Sequence, residues 1–182
     1  QGIEWFKVGR YSFEAGFLVD SLSAMMLGVV TLVGFLVEVY SIGYMRGDQR
    51  YHLFFAYLSL FIFSMLGLVL SNNLIQTYIF WELVGLCSYL LISFWFEKKS
   101  AADAGKKAFI TNRIGDAGFF LGLSTLFYYL GTANFTQISQ RLMHHPEGLS
   151  QGVLALAAVL IFCGAVGKSA QFPLHVWLPD AM

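Results

Sequence analysis

Five long apolar runs, none with a proline before its last turn, limit what this chain can fold into: Ser21–Tyr44, Leu53–Leu70, Leu74–Phe96, Ala108–Leu130 and Val153–Leu174. A membrane crossing needs about 20 mostly apolar residues. Pro146, Pro173 and Pro179 all lie in loops or in the last turn of a run. Each run can therefore close its backbone hydrogen bonds within itself as a helix, as hydrocarbon requires. A β-barrel would show short alternating segments instead of continuous runs. Only 12% of the 182 residues are charged, while 57% are apolar and 17% aromatic. That charge is about half the roughly 25% of a soluble domain, which excludes a soluble enzyme, a nucleic-acid binder and a disordered segment. The expected fold is an all-α integral membrane bundle of about five helices, the last broken near Pro173 and Pro179. The opening Gln1, with no basic stretch before an apolar run, and the abrupt end at Met182 read as an internal piece of a longer protein.

Alternate loops of five crossings lie on opposite faces. One face receives Lys7, Arg10 and Arg141; the other receives Arg46, Arg50, Lys98, Lys99, Lys106 and Lys107. The positive-inside rule makes the second face cytoplasmic and the N-terminal segment external. In that segment Tyr11, Phe13, Ala15 and Phe17 alternate onto one side, the pattern of a short strand in a hairpin turning at Gly9. Three parts follow: an outer segment at 1–18, membrane helices at 19–70 and the charged module at 71–182. Between the last two runs, Asn134 caps a short amphipathic helix on which Phe135, Ile138 and Leu142 share a face. His144 and His145 at its end read as a solvated pair, too few for a metal site. Cys87 and Cys163 lie in apolar runs and form no cluster-binding set.

Charges inside the runs carry the chemistry. Glu38, Glu82, Arg113, Asp116 and Lys168 all fall in spans, where an ionised group costs about 2.5–3.5 kcal/mol on insertion scales. Glu38, near one end of its run, can snorkel to the interface. Tyr78, Glu82, Gly85 and Tyr89 share one helix face, and Gly85 allows a close neighbour. Arg113 and Asp116, spaced i, i+3 beside Asn112, can pair with each other as a static bridge or support a proton path. On a helix continued past Lys168, that lysine would share a face with Gln171 and His175. A Glu82/Lys168 pair reads equally as a structural bridge or as a proton relay, because the pKa of a buried lysine moves readily.

Phe80-Trp-Glu-Leu-Val-Gly-Leu-Cys-Ser-Tyr-Leu-Leu-Ile92, Thr111-Asn-Arg-Ile-Gly-Asp116 and Gly164-Ala-Val-Gly-Lys-Ser-Ala-Gln-Phe-Pro-Leu-His-Val-Trp-Leu-Pro-Asp-Ala-Met182 resemble the antiporter-like, proton-pumping membrane subunits of respiratory complex I, of the chain 5 or subunit L type. Val19-Asp-Ser-Leu-Ser23 resembles the start of that family's third helix. The resemblance implies that the five runs are the third to seventh helices of a larger fold. It implies Glu82 as the key glutamate, Lys168 as the key lysine of a broken helix and Asp116 as the acid of the neighbouring helix. It implies proton translocation in a redox-driven NADH:quinone oxidoreductase, beside other membrane subunits. NADH and quinone would be bound by partner subunits, with no cofactor in this chain; no GxGxxG motif is present. The membrane expected is a bacterial inner membrane or an organelle inner membrane. The alternative is the large subunit of a multisubunit sodium/proton antiporter, which shares the glutamate and lysine. A non-transporting scaffold is disfavoured by the buried charges.

Overall fold

The computed structural model describes residues 2–8, 11–144 and 149–182. A two-stranded antiparallel hairpin, β1 (Gly2–Val8) and β2 (Tyr11–Gly16), precedes five long helices. These are α1 (Ser21–Tyr44), α2 (Tyr51–Leu70), α3 (Leu74–Ile92), α4 (Lys99–Leu130) and α6 (Gln151–Lys168). The short α5 (Phe135–His144) joins α4 to α6, and a 3-10 turn (Leu174–Trp177) and α7 (Leu178–Ala181) follow. The expected helical bundle with an outer β segment is the observed architecture. The expected turn at Gly9 and the second histidine, His145, lie outside the described residues.

Among the described residues α1, α2, α3 and α6 are each long and apolar enough to cross a membrane. The fifth expected crossing, α4, is not among them and carries Arg113 and Asp116; its 32 residues reach about 48 Å at 1.5 Å per residue. That exceeds the roughly 30 Å hydrocarbon core, so its first turns, with Lys99, Lys106 and Lys107, stand clear of the apolar zone. The expected loop at 97–107 is therefore largely the head of a helix.

Local chemistry sets the ends. Asp20 caps α1: its carboxylate accepts from Ser23 N–H at 2.7 Å, and the Ser23 hydroxyl oxygen accepts from Asp20 N–H at 2.7 Å. The Ser23 N–H donated to the carboxylate is the main reason the Asp20 carboxyl lies below its ordinary pKa. Asn73 caps α3 by accepting from Gln76 N–H at 2.8 Å. Gly131 closes α4 at φ 63°, the left-handed region that glycine enters without cost. Asn134 caps α5 through Thr136 N–H at 3.0 Å, and Phe135, Ile138 and Leu142 lay their shared face on the core.

Two helix ends depart from expectation. The third run stops being helical at Ile92 and not at Phe96. Side-chain contacts hold the chain in turns there: the Trp95 indole donates to Asp48 at 3.0 Å, and Glu97 pairs with Arg50 at 2.7 Å. Those bonds tie the connection after α1 to the one after α3 and put both on one face. The fifth run ends at Lys168, ahead of either proline. Ala170 adopts φ 49° and Gln171 N–H reaches back to the Val166 carbonyl at 3.0 Å, a closure usually built on glycine.

The core lies between α4 and α6. Gly115, Gly118 and Gly122 form a stripe on α4 that admits α6 at backbone distance. A Cβ at those positions would stand 2.8 Å from the Cys163 carbonyl, 2.8 Å from Cys163 Cβ and 2.7 Å from the Ala157 carbonyl. Such small-residue crossings replace the hydrophobic drive that helices lack inside lipid. α1 buries only Ser23 and Ser41, so its apolar surface faces outward.

Candidate functional site

Three helices deliver four ionisable side chains to one place. α3 supplies Glu82, α4 supplies Arg113 and Asp116, and the last residue of α6 supplies Lys168. The glycine stripe makes this possible, because it brings Gly167 against Gly115, one residue from Asp116. Lys168 Nζ then lies 3.7 Å from Asp116 Oδ2. Asp116 is almost fully buried, at 2% exposure. Its other oxygen accepts a 2.7 Å hydrogen bond from the Trp81 indole on α3. Glu82 pairs with Arg113, whose guanidinium also lies 4.6 Å from the Phe109 ring centroid.

The pairing differs from the one expected. Arg113 and Asp116 do not bridge each other: Arg113 reaches across to α3, and Asp116 turns to α6. Glu82 and Lys168 are not in ion contact either, because Arg113 occupies the Glu82 carboxylate. Lys168 Nζ instead lies against Gly85, three residues on from Glu82, where any Cβ would collide with it. The close neighbour expected at Gly85 is thus an ammonium group and not another helix backbone. The face of α3 read from the spacing is real: Tyr78 packs on Phe119, Tyr89 packs on Phe109, and Glu82 and Gly85 meet the charges between them. Gln171 and His175 do not join Lys168. The helix ends before them, both are exposed, and the His175 ring lies 5.8 Å from that of Phe172.

Two acids and two bases in alternation give a cluster of no formal net charge when all are ionised, which lowers the cost of holding them at membrane depth. The cluster is not saturated. Glu82 Oε1, Asn112 Oδ1 and Lys168 Nζ are buried and have no hydrogen-bond partner among the described residues. A lysine with an acid at 3.7 Å and no firm hydrogen bond can shift its ammonium without breaking a full ion pair. Arg113 cannot exchange its proton at accessible pH, so its natural part is to fix Glu82.

Trp81 and Trp177 escaped the sequence reading. Trp81 could be suspected, because a buried indole N–H needs an acceptor. Trp177 donates to the Gly167 carbonyl at 3.0 Å and so folds the segment after α6 back beneath Lys168. Asp180 assists from that segment by pairing with Lys107 of α4 at 2.7 Å.

Comparison with known proteins agrees with this fold. Residues 5–55 match a family model described as the N-terminus of NADH-ubiquinone oxidoreductase (complex I) chain 5. The chain is 57% identical over its full length to NAD(P)H-quinone oxidoreductase chain 5 of Synechocystis sp., of which it covers 27%. It is 53% identical over 99% of its length to the chloroplastic subunit 5 of Chlorokybus atmophyticus, of which it covers 29%. The chain thus spans about a quarter of the length of these relatives. Among solved structures, the Mrp complex from Dietzia sp. matches all of this chain at TM-score 0.86 and 27% identity, over 19% of that structure's own chain. An archaeal respiratory membrane complex, the membrane-bound sulfane sulfur reductase, shares the fold at TM-score 0.76 and 19% identity. Residues 71–182, which hold all four charged site residues, match the NADH:quinone oxidoreductase/Mrp antiporter transmembrane family, so this integral membrane chain belongs to that family.

Proposed function

We propose that this chain moves protons across a bioenergetic membrane as part of a redox-driven quinone oxidoreductase, with Lys168 as the proton carrier. The observation that supports this most is the placement of the Lys168 ammonium: Nζ buried, 3.7 Å from Asp116, beside Gly85, and without a full hydrogen bond. Burial disfavours the charged form of any amine and an adjacent carboxylate favours it, so a change in the distance between Lys168 and Asp116 would load or unload the lysine. Arg113 holds Glu82, and Trp81 holds one oxygen of Asp116, so the acids are positioned while the lysine is free to move. Moving one charge against 100 mV costs about 2.3 kcal/mol, and redox chemistry in partner subunits would supply it. The chain itself would carry no redox group. NADH or a related donor and the quinone would bind partner subunits, and other membrane subunits would continue the proton path. The basic face bearing Lys98, Lys99, Lys106 and Lys107 would be the cytoplasmic or equivalent side.

The test is Lys168→Ala in the full-length subunit. The expected result is an inserted, assembled complex with most proton pumping lost. Undiminished pumping would remove Lys168 from the path. The likeness to an Mrp complex supports a second reading, the large subunit of a sodium/proton antiporter. Under that reading proton movement would respond to sodium and not to electron transfer.

A further inference from the structure

Asn112 lies one helical turn before Asp116 on the face of α4 that meets α6, and is 6% exposed. Its side-chain carbonyl, Oδ1, is one of three buried polar side-chain atoms without a hydrogen-bond partner among the described residues; Lys168 Nζ is another. Leaving a buried polar atom unpaired is costly, so a chain that keeps both needs something to satisfy them. One side of the space in front of Asn112 Oδ1 is formed by Gly167, the residue before Lys168. A Cβ there would stand 3.7 Å from Oδ1 and 3.5 Å from Gly115 Cα. The ammonium lies beside Asp116, one turn along α4 from Asn112. No direct bond joins it to Asn112 Oδ1, and one molecule that bonds both would satisfy the two atoms together. The bridge must accept from an ammonium and donate to a carbonyl. Water does both; a cation is opposed by Lys168 and Arg113.

We propose that Asn112 and Gly167 build a water site that delivers protons to Lys168. This rests on the reading of Lys168 as the proton carrier and adds the group that loads it. The water donates one hydrogen to Asn112 Oδ1; it faces the lysine with its oxygen when the amine is charged and with its other hydrogen when the amine is neutral. When Lys168 is a neutral amine, the water gives it that proton and is reprotonated from the water next to it on the Lys107 side of α4. One proton enters and one moves on, and Asn112 is never ionised. Asn112 is thus a positioning residue that acts through water.

Three variants of the full-length subunit in the assembled complex test this, with protons pumped per electron as the readout and assembly measured separately. Asn112→Leu keeps the branched shape of the side chain and removes the acceptor; pumping should fall at least fivefold. Gly167→Ala meets only ordinary contacts of 3.5–3.7 Å but puts a methyl in the water's place; it should cause a similar loss. Asn112→Ser removes more packing than leucine does, yet keeps an acceptor and leaves room for water; it should retain more than half of the pumping. A merely structural Asn112 would give the opposite order, with leucine the milder change, and that order would overturn the proposal. Lys168→Ala separates the two levels. If it abolishes pumping while Asn112→Leu and Gly167→Ala pump normally, the water site falls and the lysine stands. If Lys168→Ala also pumps normally, both fall.

Discussion

At the scale of residues, the four site charges divide into a fixed pair and a loose one. Arg113 grips Glu82, whereas Lys168 stands off Asp116 at 3.7 Å. Removing one member of a buried pair strands its partner's charge, at roughly 3–5 kcal/mol when both are fully buried. Here the cost should be smaller, because the Arg113 side chain keeps 40% exposure. Glu82→Gln and Arg113→Gln should each lower the amount of assembled complex. The double variant should recover assembly to at least half without recovering pumping. Quantifying assembled complex in the three variants checks this; strictly additive losses would show that the two residues act separately. The identities of these residues were readable from sequence, because an ionisable group in an apolar run stands out whatever the fold. Their pairing was not. Arg113 and Asp116 are neighbours on one helix, and only the packing of α3 and α6 against α4 shows that each side chain has a better partner elsewhere.

At the scale of elements, the crossing of α4 over α6 sets the position of Lys168. Gly122 lies furthest from the charges in the stripe, and a Cβ there would stand 2.7 Å from the Ala157 carbonyl. Gly122→Val should push α6 away and lower thermal stability of the complex by several degrees, with pumping falling in parallel. Unchanged melting would mean that the crossing tolerates side chains. The helices themselves were legible, since 3.6-residue periodicity matters little where a run is apolar all round. The last turns were less so. α3 stops at Ile92 because Trp95 and Glu97 find distant partners in Asp48 and Arg50. α6 stops at Lys168 because the chain turns at Ala170, a residue with no breaking signal of its own. The face drawn from Lys168 through Gln171 to His175 assumed a helix that does not continue.

At the scale of the whole molecule, orientation follows from charge. Six basic residues on one side against three on the other predict that the heads of α2 and α4 face the cytoplasmic or equivalent side. The bonds of Asp48 and Arg50 to Trp95 and Glu97 put those connections on one side, whichever side it is. Cysteine introduced at Ser150 should be labelled by an impermeant reagent in intact cells or sealed vesicles of known orientation. Cysteine at Ser100 should react only after permeabilisation. Labelling of the second position from outside would invert the direction of transport drawn above.

Exchange of the Lys168 proton is most directly tested by Lys168→Arg, with proton pumping measured in sealed vesicles against electron transfer in the same sample. Arginine keeps the positive charge, satisfies Asp116 and preserves assembly, but it cannot release a proton at accessible pH. A lysine that carries protons predicts an assembled enzyme whose protons pumped per electron fall severalfold. Full pumping with arginine at 168 would contradict it and leave Lys168 and Asp116 as a structural bridge.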